Sequence, residues 1–315
     1  GISEVELVSG ERIVGEKENL PPGFTGSFVV NVDGGTYSLY CPGTKTENTP
    51  ITVTGTSVAA TAGSVATLLK QGTADYSAYV TTQAGYLVKA AKALQSAINR
   101  GDLAAAQAAY DKARPFYEKI EPVAESFALG KDNLDVDIDA RAGDVPSSHW
   151  TGFHPIEKSL FQDKSLKGLG VLAAGLVSST EKLQRLATGL TYQPFELANG
   201  AQELLNEVAT TKITGEEERY SHIDILDFEA NDEGAAQAFA DLQPALAKID
   251  VQLTTTISSR FAALDTLVDT YRTDANPSGF VYYGALTRAD KRKLAAAVKA
   301  VQEPLSQVAS KVAKV

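Results

Sequence analysis

Between residues 73 and 99 the apolar side chains recur at helical spacing: Tyr76, Ala78, Tyr79, Leu87, Ala90, Leu94 and Ile98. No proline interrupts the run, and Gly101-Asp102 behind it stops one helix and offers an N-cap to the next. This Ala-rich, long-period texture holds from about residue 57 to the C-terminus and restricts the chain to a mainly α fold. A second helix is expected over 102 to about 127, with Pro115 and Pro122 inside it as kinks. Further helices are expected over 155–161, about 169–186, about 195–209, about 233–271 with a break near Pro244, and 289–312. Thr287-Arg288-Ala289-Asp290 opens the last one like a capping box with Asp in place of Glu. Helices of this length on short connections argue for a bundle or a pair of bundles.

The first 55 residues read as β. Residues 4–8, 26–32, 36–41 and 50–54 are short alternating or β-branched runs. Asp33-Gly34-Gly35 is a hairpin signal between the second and third. About four strands are too few for a closed sandwich, which takes roughly seven. Either this unit is small and leans on the rest, or its first strands are missing. The expected organisation is an incomplete β unit over 1–55 and a helical unit over 56–315.

Net charge is −10, from 39 acidic and 29 basic side chains. That disfavours nucleic acid, which wants a basic stripe, and it suits cation binding, although an acidic balance also serves solubility. Cys41 is the single cysteine, so no disulfide closes within the chain. The chain starts at Gly1 and holds no methionine, which reads as a processed or truncated product. No stretch of about 18 apolar residues could span a membrane.

The chemistry concentrates in a few places. His149-Trp150-Thr151-Gly152-Phe153-His154-Pro155-Ile156-Glu157 holds two of the three histidines and the only tryptophan. His154 and Glu157 stand three apart in a first helical turn, so they share a face, and imidazole with carboxylate is a pair that first-row metals accept. On the second helix, Glu118, Glu121 and Glu125 stand at i, i+3 and i+7. Like charges at that spacing repel unless a cation neutralises them, or unless the stripe is simply solvated. The aspartates at 132, 135, 137 and 139 invite an EF-hand assignment. It fails, because Ala140 stands where glycine is required and Pro146 where glutamate is. Glu216-Glu217-Glu218 with His222 and Asp224 could be a linker and helix cap, or could lend one carboxylate to a metal. There is no His-Glu-x-x-His, no Gly-x-Ser-x-Gly and no phosphate-cradling glycine loop.

Phe153-His154-Pro155-Ile156-Glu157-Lys158-Ser159-Leu160-Phe161 resembles the HxxE signature of the imelysin-like family, historically labelled a peptidase family. The blocks 117–125, 138–141 and 219–224 with Asp227-Phe228 resemble further family blocks, in the family's order. Residues 14–24 are similar to the cupredoxin-like part of the family's iron-uptake members. The resemblance implies a double four-helix bundle preceded by a partial β-sandwich of cupredoxin type. It implies metal ligands at His154, Glu157, Glu118, Glu121, Asp135 and Glu217, with Glu125 as runner-up. It also implies a periplasmic or cell-surface protein, peripheral to the membrane, that binds iron (Fe2+ or Fe3+, with zinc possible in vitro). Its implied partners are an iron permease and a haem-peroxidase-like component. A second metal site is proposed in such relatives within the β part. Glu4 and Cys41 match two of its positions, and Thr36 stands where relatives can carry an acidic residue. A small buried hydrophobe is the competing role for Cys41. Two rival functions stay open: a metallopeptidase with Glu157 or Glu121 as general base, and a module that binds acidic polysaccharide through metal.

Overall fold

The computed structural model describes residues 5–10, 12–17, 32, 34–41, 44, 46–55, 64–129 and 132–315. Within them helices dominate. They are α1 (Ser64–Asn99), α2 (Leu103–Glu118), α3 (Leu134–Asp139), α4 (Phe153–Glu157), α5 (Leu169–Ala187), α6 (Pro194–Thr210), α7 (Asp224–Ile249), α8 (Val251–Asp269), α9 (Arg288–Leu305) and α10 (Val308–Val312). The 36 residues of α1 make a rod about 54 Å long at ~1.5 Å per residue. α1 packs on α2, α5 and α7, while α6 packs on α7 and α9, and α8 on α7 and α9. α7 is thus common to two four-helix groups. Tyr76, Leu87, Leu94, Tyr110 and Tyr117 are fully buried where the first group closes. Each such side chain stabilises the fold by about 1.5–3 kcal/mol through burial.

The strands are β1 (Val5–Ser9), β2 (Arg12–Lys17), β3 (Gly35–Tyr40), β4 (Asn48–Val53), β5 (Ala128–Leu129) and β6 (Asp132–Asn133). They form one antiparallel sheet in the order β4-β3-β1-β2-β5-β6, consistent with a partial β unit. Its last two strands come from the stretch just before α3, so the sheet is tied to the helical part by backbone pairing of Arg12 with Leu129. Strand β2 is not anticipated from sequence. The expected strand at 26–32, the Asp33 hairpin position and Glu4 lie wholly or mainly outside the described residues.

Two helix boundaries differ from expectation. The long second helix stops at Glu118 and gives way to a 3-10 stretch, Glu121–Phe127, with Pro122 in its first turn. Proline has no N–H to offer the carbonyl four residues back and its ring crowds that carbonyl, so an α-helix cannot run through 122 undisturbed. Val123 is non-helical at φ −126°, ψ 23°. Glu118, Glu121 and Glu125 therefore do not share one continuous helical face. The break expected near Pro244 falls instead at Asp250, whose carboxylate accepts the Leu253 N–H at 2.9 Å and starts α8. The expected box at the start of α9 is present: Thr287 Oγ1 accepts from Asp290 N at 3.2 Å and Asp290 Oδ2 from Thr287 N at 2.9 Å.

Candidate metal centre

The HxxE turn is α4. Its entry residue, Gly152, has φ +85°, and a Cβ there would lie 2.0 Å from the Ile138 carbonyl oxygen. Only glycine lets the turn press against α3 this closely. The turn buries both polar residues: His154 is 2% exposed and Glu157 0%. Glu157 Oε2 lies 3.2 Å from His154 Nδ1, and Oε1 accepts the backbone N–H groups of Tyr220 (2.7 Å) and Ser221 (2.8 Å). Glu157 thus fixes the ring through one nitrogen, the arrangement that orients imidazole ligands in metal sites. The other nitrogen, Nε2, is buried without a hydrogen bond. It faces Asp139 Oδ1 at 3.5 Å and Glu217 Oε1 at 3.8 Å. Donor atoms of Asp139, His154 and Glu217 all lie within 4.8 Å of one another, as do those of His154, Glu157 and Glu218. The first group is built on Nε2. One imidazole with carboxylate oxygens suits iron or zinc better than Cu(I), which prefers sulfur.

Burying so many carboxylates requires cations, because each unpaired buried ion costs several kcal/mol. Two fully buried basic side chains meet that need. Arg114, on α2, reaches five carboxylates: Asp139, Glu118, Glu218 (Nε at 2.8 Å), Asp227 (3.3 Å) and Glu217 (3.4 Å). Its guanidinium also lies 5.1 Å from the centre of the Phe153 ring. Lys212, in the 3-10 turn Lys212–Thr214 after α6, places Nζ 2.7 Å from both oxygens of Glu121 and 3.0 Å from Glu118 Oε2. Asn231 on α7 adds Nδ2–H donors to Glu118 Oε2 (2.9 Å) and Glu121 Oε2 (2.7 Å). Arg141 holds the second oxygen of Glu217 at 2.9 Å.

Protonation follows from these contacts. Burial opposes the Asp139 charge, but Arg114 and His154 beside it hold its carboxyl well below the ordinary range. Burial opposes that of Glu217 as well, and Lys212 and Arg141 overcome it, bringing the group down to about 2. Burial disfavours an imidazolium at His154, yet contacts with Asp139 and Glu157 outweigh it and raise the group to about 9. Burial and the neighbouring Glu157 push Glu218 upward; Tyr110 and Ser221 hydroxyls donate to its two oxygens.

The residues named from sequence therefore divide. His154, Glu157 and Glu217 converge. Glu118 and Glu121 lie next to them around Lys212. Asp135 accepts the Tyr117 hydroxyl, and burial raises it to about 6. Glu125 lines a separate cavity with Glu196, Glu203, Ile13 and Val14. Cys41 is half-buried and not in a disulfide. Sequence reasoning missed Asp139, Glu218, Arg114 and Lys212. Arg114 was findable, since it stands four residues before Glu118 on one helix face. Lys212 was not, because its two nearest partners, Glu118 and Glu121, are more than 90 residues distant in the chain.

Comparison with known proteins agrees with this architecture. The imelysin family model, peptidase M75, matches residues 72–308. The iron uptake system component EfeO of Escherichia coli strain K12 is 37% identical over 310 residues, which is 97% of this chain and 81% of that protein. The EfeO of Shigella flexneri matches to the same extent. The chain belongs to the imelysin family, as an EfeO-like member.

Proposed function

We propose that the chain captures iron outside the cytoplasm in the pocket at His154 and delivers it to a membrane permease of an iron-uptake system, alongside a haem-peroxidase-like component. The observation that carries this is His154 Nε2, buried without a hydrogen bond of normal length and facing Asp139 and Glu217, with its ring already fixed by Glu157. The naming of its relatives as iron-uptake components supports it. Iron is the cargo here, and no bond of the cargo or of a peptide needs to break. Titration of the metal-free chain with Fe2+ under anaerobic conditions, and with Zn2+, should give a Kd well below about 1 mM by calorimetry. His154→Ala should abolish it. Binding weaker than about 1 mM, or unchanged in His154→Ala, would sink the proposal.

The family's peptidase label raises hydrolysis as a second reading. A general base needs a carboxylate oxygen at liberty to take a proton from water. Both oxygens of Glu157 are engaged by His154 and two backbone amides, and both of Glu121 by Lys212. We therefore favour carriage over hydrolysis; cleavage of a peptide library by the zinc-loaded chain would reverse that preference.

A further inference from the structure

Three of the six carboxylate or imidazole residues expected to hold metal, Glu118, Glu121 and Glu217, surround one ammonium group. Lys212 Nζ lies 2.7 Å from each Glu121 oxygen, 3.0 Å from Glu118 Oε2 and 3.7 Å from Glu217 Oε1. Glu217 Oε1 is the same oxygen that faces His154 Nε2 at 3.8 Å. The ammonium and a metal at His154 would thus draw on one shared carboxylate and stand side by side. Two cations that close repel strongly where water is excluded. The lysine has a way out. Lys212 itself is buried, but the short turn that carries it is flanked by exposed Thr210 and exposed Thr214. The cluster comes nearest to solvent at Glu121, whose side chain is 13% exposed while those of Lys212 and Glu118 are 1% and 0% exposed. A four-carbon stem on such a turn can carry the ammonium past Glu121 into water.

We infer that Lys212 is a tethered competitor of the metal: its ammonium holds Glu118, Glu121 and Glu217 when no metal is bound, swings out as metal enters, and returns to help expel it on delivery. This rests on the capture function proposed above and supplies the release step. The ammonium and the dication draw on the same carboxylates, so one anionic cluster serves both occupants. The device exchanges affinity for reversibility, which a carrier needs and a storage site does not.

The test is Lys212→Met, which keeps the stem and removes the charge, alongside wild type and His154→Ala in the full chain. Zn2+ affinity is measured by calorimetry, and release by mixing the zinc-loaded chain with excess chelator. Lys212→Met should bind zinc about tenfold or more tighter and release it correspondingly more slowly, consistent with loss of a competing charge. It should also melt lower without zinc and gain more thermal stability from zinc than wild type does. A folded Lys212→Met with unchanged or weaker affinity and unchanged release overturns the exchange. If that variant does not fold, 15N-lysine spectra of wild type decide. A protected Lys212 ammonium resonance that becomes exchange-broadened on adding zinc supports the exchange; one that stays protected overturns it. No zinc uptake by wild type and Lys212→Met alike would instead bring down the capture function itself.

Discussion

One short stretch, Glu121–Phe127, feeds two acidic clusters of opposite character. At its start, Glu121 meets Lys212 and Asn231 beside the Arg114 network. At its far end, Glu125 shares a cavity with Glu203, whose carboxyl is pushed up to about 9 by burial and by the Glu125 charge beside it. The first cluster keeps Asp139 and Glu217 ionised by setting protein cations against them, whereas Glu203 in the second stays neutral by keeping a proton. Both relieve the cost of burying charge. Only the first leaves anionic oxygens already arranged around a cation, and only there does an imidazole nitrogen face them. The site is therefore set by how the charge is neutralised as much as by where acidic residues gather.

The largest expected effect strikes the cation-filled cluster. Arg114→Met leaves five carboxylates without their shared partner and should cost about 3–5 kcal/mol in denaturant unfolding, or prevent folding at 37 °C. Glu157→Gln comes next. It keeps an acceptor for the two backbone amides but weakens the hold on His154, and should lower zinc affinity about 10–100-fold with little change in melting temperature. Glu203→Gln probes the other cluster through pH. Its folded-state value of about 9 lies above the ordinary 4.5, so the folded chain keeps a proton that the unfolded chain gives up. That contribution is complete below pH 4.5 and is lost as pH rises through 9. Glu203→Gln should flatten this slope and gain about 1–3 kcal/mol at pH 8, less than the full shift implies because glutamine is itself a buried polar group. A variant that destabilises equally at every pH would contradict the contrast. The smallest effect is expected for Glu125→Gln, which should leave zinc affinity within about twofold of wild type.

How much of this was legible in the sequence follows from how local each cause is. The Thr287–Asp290 box, the Gly101-Asp102 junction and the 3.6-residue period of α1 are decided within a few residues, and they were read correctly. The stop at Glu118 was misread because a proline can either kink or end a helix. What decides here is Pro122 packed under α6, where a Cβ on Gly200 would lie 1.7 Å from the Pro122 carbonyl oxygen. No pattern inside 102–127 carries that information. His154 and Glu157 stood out because they sit together on one turn. Asp139 was visible among several alternating aspartates and within the 138–141 block, but not as a ligand, and α3 selects it by turning 135 toward Tyr117 and 139 toward Arg114 and His154. Lys212 meets Glu118 and Glu121 through tertiary contact, so nothing near it in sequence marks it as their counter-ion.

Metal entry at His154 Nε2, and not at the other acidic cluster, is tested by an anomalous difference map. Crystals soaked in zinc, and in Fe2+ without oxygen, would supply it. A peak about 2.0–2.2 Å from His154 Nε2, sharing oxygens of Asp139 and Glu217, is the predicted result. A peak between Glu125 and Glu203, with none at His154, would contradict it.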